Sequence, residues 1–332
     1  MGQTGHTDMS IIRRSISNRD LPENVTNILL SSWRSNTAKQ YECYLRKWEK
    51  FCNRREINSF STNVNNVLTF LTELFENNCG YSAINTAKSA ISNVIILTDS
   101  EHITVGNHPL VKRFMKGVYN QKPSLPRYKS VWDVSEVLDW LQKIEIDNVT
   151  LKMLTLKTVM LLALLSGQRV QTLRALSVNK LKLTESSAEF HIETLLKQSK
   201  PGRHLSVINF TSYNDRQLCV VSHLHKYINM TKDLRKSNAL FISYQKPYGP
   251  VTTDTIARWL KTVLRNSGVN TDVYSAHSTR AASTSAAAAN GCTVDEIMTH
   301  VGWANAQTFA TFYNKMCMKN ESTFSDKVLQ RK

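Results

Sequence analysis

Apolar residues recur at helical spacing through the first third of the chain. The pattern is clearest after Ser35, where one helix face carries Tyr41, Tyr44, Leu45, Trp48 and Phe51. Similar spacing at 64–75, at 82–95 and after Pro109 predicts three more helices. With no strand pattern between them, these four segments predict a small helical bundle.

The second half alternates helical and strand patterns. Helices are predicted at 135–143, 151–165, 213–232, 253–267, 278–290 and 294–300. Strand character at 189–196 and 204–210, with Pro201-Gly202 between them, predicts a hairpin. Thr293 and Glu296 have the spacing of a capping box. The fold class is therefore mainly α with a small β-sheet.

A change in composition divides the chain. Pro123 and Pro126 interrupt the helical pattern among several basic residues, which predicts an extended basic linker at 120–131. The polar, aperiodic segment 1–20 is expected to be a mobile tail. A helical domain at 21–119 and a second domain at 132–332 follow from these boundaries.

The charge indicates a polyanionic partner. Lys and Arg number 42 against 26 Asp and Glu, a net charge of +16 that favours nucleic acid, with an anionic membrane second. No apolar run is long enough to span a bilayer. The six cysteines form no CxxC pair and no secretory leader precedes them, which favours a reducing compartment. Solvated faces are the alternative reading of the residues expected to contact DNA, which are Lys39, Arg46, Lys88, Lys112, Arg113, Lys122, Arg127 and Lys129.

Five short motifs in the second half have a chemistry in common. In chain order they are Ser166-Gly-Gln-Arg169, Lys197-Gln-Ser-Lys200, His277-Ser-Thr-Arg280, Gly302-Trp303 and Thr311-Phe-Tyr313. Their order and spacing resemble the catalytic signature of the tyrosine recombinase (phage integrase) family over most of residues 21–320. The amino-acid sequences at 276–280 and 302–313 are most similar to those of recombinases from DIRS-type eukaryotic mobile elements.

The resemblance implies a role for each motif. Arg169 and Arg280 would clamp the non-bridging oxygens of a DNA phosphate with bidentate hydrogen bonds. Tyr313 would attack the phosphorus, with His277 as proton acceptor, because a phenol with a pKa of about 10 is a weak nucleophile at neutral pH. Trp303 would pack near the nucleophile and donate its indole N–H to the phosphate.

A hairpin lysine would protonate the departing 5′-oxygen, and Lys197 is the first choice with Lys200 as the alternative. The chemistry requires no cofactor and no metal. The pair His223 and His225 is expected to be a solvated helix segment rather than a zinc site.

The resemblance also implies an architecture and an outcome. A helical core-binding (SAM-like) domain and an α+β catalytic domain would form a C-shaped clamp around duplex DNA. Cleavage would give a 3′-phosphotyrosyl intermediate, and strand exchange would pass through a Holliday junction. The segment after Tyr313, with Phe324, Val328 and Leu329 at helical spacing, would dock into a neighbouring subunit of a tetramer on DNA. A mobile-element enzyme of eukaryotic type would act in the nucleus.

One departure from the family pattern keeps other functions open. Many members carry an acidic residue three positions after the first arginine, and here that position is Thr172. Loss of that support is compatible with an inactive descendant that binds DNA as a regulator. A type IB topoisomerase, which shares the chemistry, is the second alternative.

Overall fold

The chain divides into two packed units, Met1–Leu125 and Pro126–Lys332. The computed structural model describes residues 10–17, 21–100, 102–125, 128 and 130–303. None of the helices in these ranges is long and apolar enough to cross a membrane.

Helices dominate the first unit. They are α1 (Ser10–Ser17), α2 (Glu23–Leu30), α3 (Ser35–Arg55), α4 (Val64–Glu76), α5 (Tyr81–Ile91) and α6 (Pro109–Gln121). Two short parallel strands, β1 (Ser61–Thr62) and β2 (Ile96–Leu97), pair between them. Trp48 of α3 is fully buried, and its ring lies 5.4 Å from that of Phe51 and 5.2 Å from that of Phe70. The four predicted helices are confirmed as α3 to α6.

The expectation of a mobile tail over 1–20 is wrong for its central part. Ser10–Ser17 forms α1, and Ile11, Ile12 and Ile16 are buried in the core of the first unit. These isoleucines share one helix face, so docking against α3 removes their apolar surface from water. Residues 1–9 and 18–20 lie outside the described residues.

The expected linker at 120–131 is shorter than its composition indicates. Helix α6 continues to Gln121, and the Lys122 ammonium donates to Phe75 O at 3.1 Å and to Asn78 Oδ1 at 3.3 Å. At the other end, Val131 is already buried in the core of the second unit. Lys122 therefore binds the end of α4 within its own unit.

The second unit surrounds one buried helix. Its helices are α7 (Val134–Gln142), α8 (Leu151–Ser166), α9 (Val170–Ala175), α10 (Val220–Thr231), α11 (Thr253–Asn266), α12 (Ser278–Ala289) and α13 (Val294–Val301). Three antiparallel strands in the order given form its sheet: β3 (Leu181–Leu183), β4 (Ser187–His191) and β5 (Val207–Thr211). Helix α8 packs against α10, α11 and α12. This confirms the mainly helical class with a small sheet.

Two local features of the second unit follow the sequence closely. Thr293 and Glu296 form the expected capping box at the start of α13. Lys200 and Arg203 exchange both backbone hydrogen bonds at 2.9 Å around Pro201-Gly202, and Gly202 has a φ of +72°. A proline followed by a left-handed glycine is the pattern of a type II turn, so the predicted hairpin turn is confirmed.

Candidate active site

The turn that follows α8 carries Arg169 and has little room for change. Gly167 ends α8 with a φ of +58°, and a Cβ there would lie 3.0 Å from Val301 Cγ2. A residue other than glycine would thus meet both backbone strain and a steric contact. Arg169 then precedes the first turn of α9.

Helices α12 and α13 hold this turn in place. The Ser283 hydroxyl donates to Leu164 O, and His300 Nε2 donates to Leu165 O at 2.8 Å. The Gln168 amide donates to Val301 O at 3.1 Å. These bonds occupy carbonyls at the ends of α8 and α13, so the position of Arg169 is fixed by the elements that carry the other motifs.

Arg280 lies inside the domain on α12. Its side chain is 2% exposed, and its guanidinium carbon lies 4.6 Å from the centre of the Trp303 ring. Trp303 is buried and follows Gly302, which ends α13 in the left-handed region with a φ of +73°. The structure therefore brings two predicted site residues into a cation–π contact.

His277 stands immediately before α12 and its side chain is exposed. Its side chain makes no capping hydrogen bond to the first turn of α12. The backbone before it is held by neighbouring bonds. The Tyr128 hydroxyl lies 2.7 Å from Ser275 Oγ, and the Trp132 indole donates to Ser278 Oγ at 2.9 Å.

The loop between β4 and β5 carries Lys197 and Lys200, and both side chains are exposed. Ser199 braces the loop from inside, because its Oγ accepts from Leu196 N at 2.9 Å and lies 2.8 Å from His204 Nδ1. His204 Nε2 lies 2.7 Å from Ile192 O. A carbonyl oxygen only accepts, so His204 Nε2 donates to Ile192 O.

Gln198 links this loop to Arg169, a contact that the sequence did not indicate. Arg169 Nη1 donates to Gln198 Oε1 at 2.7 Å. A Cβ on Gly302 would lie 3.6 Å from Gln198 Nε2 and 3.5 Å from Leu205 Cδ1, so the hairpin also lies against the turn before Trp303. Arg169, the hairpin and the Trp303–Arg280 pair thus belong to one continuous cluster of contacts.

Thr172 does not take the place of an acid beside Arg169. It is buried, and its hydroxyl lies 3.4 Å from Gln168 Oε1. Among the described residues, the side chain of Arg169 bonds to a neutral amide and forms no ion pair. Its positive charge is therefore not neutralised by a described carboxylate.

The environment of His223 differs from the solvated position expected from the sequence. It is fully buried in α10, with Nδ1 2.8 Å from Cys219 O, so it is not a solvated residue. His225 faces elsewhere, with Nε2 2.9 Å from Thr184 O. Burial lowers the pKa of His223 to about 4, and the positive charge of Lys157 acts in the same direction.

The basic residues expected to contact DNA fall into several environments. Lys39, Lys112 and Arg113 are exposed, whereas Arg46 pairs with Glu42 at 3.2 Å. Burial lowers the pKa of the Lys88 ammonium, and the nearby Lys112 charge lowers it further. Helices α5 and α6 thus place two like charges close together.

Some of the predicted functional residues fall in parts of the chain that the structure does not describe. The nucleophile Tyr313, the segment that follows it, and the linker residues Arg127 and Lys129 lie outside the described residues. Their assigned roles stay predictions.

The second unit thus combines helices and a small antiparallel sheet with two arginines, of which Arg169 is bonded to the hairpin and Arg280 packs on a tryptophan. A model of the Phage integrase family matches residues 133–319, more than half of the chain. The chain belongs to the phage integrase family and is a tyrosine-type DNA recombinase. The likeness to DIRS-type enzymes stays a prediction.

Solved structures share the fold. The Tn1549 transposon integrase bound to transposon right end DNA has a TM-score of 0.60 at 14% identity, covering 96% of this chain and 96% of that chain. The XerH recombinase in its post-cleavage complex has a TM-score of 0.58 at 11% identity, covering 93% and 86%. A lambda integrase dimer bound to a core site has a TM-score of 0.51 at 13% identity, covering 89% and 94%. No curated protein sequence matches the chain.

Proposed function

We propose that this protein recombines a mobile element by cutting and rejoining DNA at the element's ends. The observation that carries the proposal is the single cluster in which Gln198 joins the hairpin to Arg169, next to the Gly302 turn that leads into Trp303 and Arg280. Two permanently charged guanidinium groups held by packed elements suit a phosphate that gains negative charge in its transition state.

In this reaction the Tyr313 oxygen attacks phosphorus while the bond from phosphorus to the 5′-oxygen breaks. His277 accepts the phenolic proton, which its exposed position at the start of α12 permits. Lys197 supplies a proton to the 5′-oxygen. Its place beside Gln198, which touches Arg169, favours it over Lys200, which is three residues further along at the turn.

The 3′-phosphotyrosyl bond conserves the energy of the broken phosphodiester, so rejoining needs no external energy source. Attack by the 5′-hydroxyl of a partner strand then exchanges strands and produces a Holliday junction. In this proposal the two units close as a clamp around duplex DNA, and the protein acts in the nucleus.

The first unit contributes affinity for the DNA backbone. Burial and the nearby Lys112 charge lower the pKa of the Lys88 ammonium, and a phosphate bound beside Lys88 would favour its charged form. The exposed Arg113 follows Lys112 on α6 and extends the same basic surface. Contacts of this kind position a protein on the duplex without reading its sequence.

An apolar cavity in the second unit supports assembly on DNA. It has a volume of about 540 Å³ and is lined by Leu138, Leu164, Ala287, Ile297 and Val301, among others. The apolar positions of the segment after Tyr313 suit such a surface, and a tetramer would place that segment in the cavity of a neighbouring subunit. Light scattering of the protein on a synthetic Holliday junction should give four subunits per junction, and one subunit per DNA would contradict the assembly.

The experiment that tests the proposed function uses nicked suicide substrates that carry candidate element ends. Wild type should form a covalent protein–DNA adduct on a denaturing gel, and Tyr313→Phe should bind the same DNA without forming it. Tight binding with no adduct from wild type would favour the DNA-binding regulator. Relaxation of supercoiled plasmid that lacks element ends would favour the topoisomerase.

A further inference from the structure

Arg169 is oriented by the hairpin in this protein. Its Nη1 donates to Gln198 Oε1 at 2.7 Å, whereas the Thr172 hydroxyl lies 3.4 Å from Gln168 Oε1. The amide oxygen of Gln198 therefore stands where an acceptor for the guanidinium is needed. Unlike a carboxylate, it fixes the direction of Arg169 without neutralising its charge.

The other end of the same amide is a buried donor. Gln198 Nε2 is buried and has no hydrogen-bond partner among the described residues. The amide cannot be reversed to remove this feature, because the oxygen must face the Arg169 N–H. A buried N–H without an acceptor destabilises the folded state, and such costs are concentrated at functional sites.

The surroundings keep Gln198 in place. The hydroxyl of Ser199, the next residue, accepts from Leu196 N at 2.9 Å, and the Gly302 turn lies against the amide, since a Cβ there would be in van der Waals contact at 3.6 Å from Nε2. Lys197 precedes Gln198 in the same braced loop. Holding residue 198 against Arg169 therefore also fixes the backbone from which Lys197 extends.

We propose that Gln198 is a further residue of the active site, with its carbonyl oxygen positioning Arg169 and its amide N–H donating to the phosphate oxygen that Arg169 binds. It thereby takes over the orienting role of the acidic residue absent at Thr172. The inference rests on the proposed function, because it needs a phosphate bound at Arg169.

The test compares single-turnover cleavage of a suicide substrate with binding of the same DNA by Tyr313→Phe proteins. Gln198→Met, close in size but unable to make either bond, should cleave about 100-fold more slowly, as expected for loss of one donor to a developing oxyanion. Its affinity for DNA should stay within about threefold of the parent, because phosphate and sugar contacts elsewhere dominate binding. Gln142→Met, which removes a glutamine bonded to Asp215 at 2.8 Å in the same unit, is the matched control and should cleave normally.

Two further variants separate the two roles. In an Arg169→Ala background, Gln198→Met should slow cleavage by less than about threefold, because residues that act as a unit are not additive. Gln198→Glu keeps an acceptor for Arg169 but loses the donor, so it should cleave more slowly than wild type and faster than Gln198→Met.

The positioning role would be overturned if Gln198→Met cleaved at the wild-type rate. It would also be overturned if Gln198→Met slowed cleavage equally in the wild-type and Arg169→Ala backgrounds. Full activity of Gln198→Glu would overturn the donor role. If wild type itself forms no adduct, the proposed function fails. An adduct from wild type with unaffected Gln198 variants would contradict only this inference.

Discussion

Replacing Gly167 by alanine should damage the second unit through two separable effects. The left-handed φ of +58° costs an alanine about 1–2 kcal/mol. The new Cβ would also lie 3.0 Å from Val301 Cγ2 and 3.5 Å from Thr284 Cγ2, an overpacking that costs about 1–3 kcal/mol. We expect a total loss of about 2–5 kcal/mol, together with slower cleavage, because relief of the contact moves the turn that carries Arg169.

Gly268 provides the control for the backbone effect. It has a φ of +93° after α11, and a Cβ there meets nothing within 4 Å. Gly268→Ala should therefore lose stability through the backbone effect alone and should cleave normally. Adding Val301→Ala to Gly167→Ala removes the methyl group in the way and should restore part of the cleavage rate.

Urea and thermal unfolding, both followed by circular dichroism, measure the stability of each variant, and suicide-substrate cleavage measures its activity. A shift of roughly 2–4 °C in Tm is expected for each kcal/mol in a unit of this size. Equal losses for Gly167→Ala and Gly268→Ala, with normal cleavage by both, would refute the claim that close packing at Gly167 positions Arg169.

Three other predictions concern separate parts of the protein. Below pH 6.5 the unfolded chain binds a proton at His223 that the folded chain excludes down to about pH 4. The free energy of unfolding should therefore fall as the pH drops through this window, with His223 contributing up to about 3 kcal/mol of the loss. In thermal melts, the His223→Gln variant should not show this part of the loss. Trp303→Leu should slow cleavage about 30-fold relative to Trp303→Phe, because only the aromatic ring keeps a buried cation–π contact with Arg280, worth about 2 kcal/mol. The double variant of Lys88→Ala and Lys112→Ala should lower the slope of log K against log salt by about 2, measured by fluorescence anisotropy on duplex DNA.

A control variant or a contradicting result tests each of these three predictions. The stability of His225→Gln should depend on pH as that of wild type does. A His223→Gln variant that loses as much stability as wild type at low pH would contradict the first prediction. Equal rates for Trp303→Leu and Trp303→Phe would remove the cation–π argument. Arg54 and Arg55 both pair with Glu73, at 2.7 and 3.3 Å, so replacing both with alanine should leave the salt slope unchanged. If the salt slope also stays unchanged in the double lysine variant, Lys88 and Lys112 do not contact DNA phosphates.

Sequence periodicity located the long elements because their buried faces are apolar over several turns. Helix α9 spans only Val170–Ala175, too short for a repeating pattern, and α1 was missed because three isoleucines in a polar segment look like isolated apolar residues. His223 was expected in solvent because its burial depends on helices distant in sequence.

The candidate site was predictable where chemistry requires a particular residue type. Arg280 and Trp303 were named from motif order, and the structure places them in contact. Gln198 could not be found in this way, because an uncharged amide gives no motif signal. Its bond to Arg169 joins residues 29 positions apart in the chain.

The most direct measurement is to identify the amino acid and the DNA end joined in the trapped adduct. Mass spectrometry of the proteolysed adduct should find a nucleotide attached to Tyr313 through a 3′-phosphate, with a free 5′-hydroxyl on the released strand. Attachment to another residue, or through a 5′-phosphate, would contradict the account.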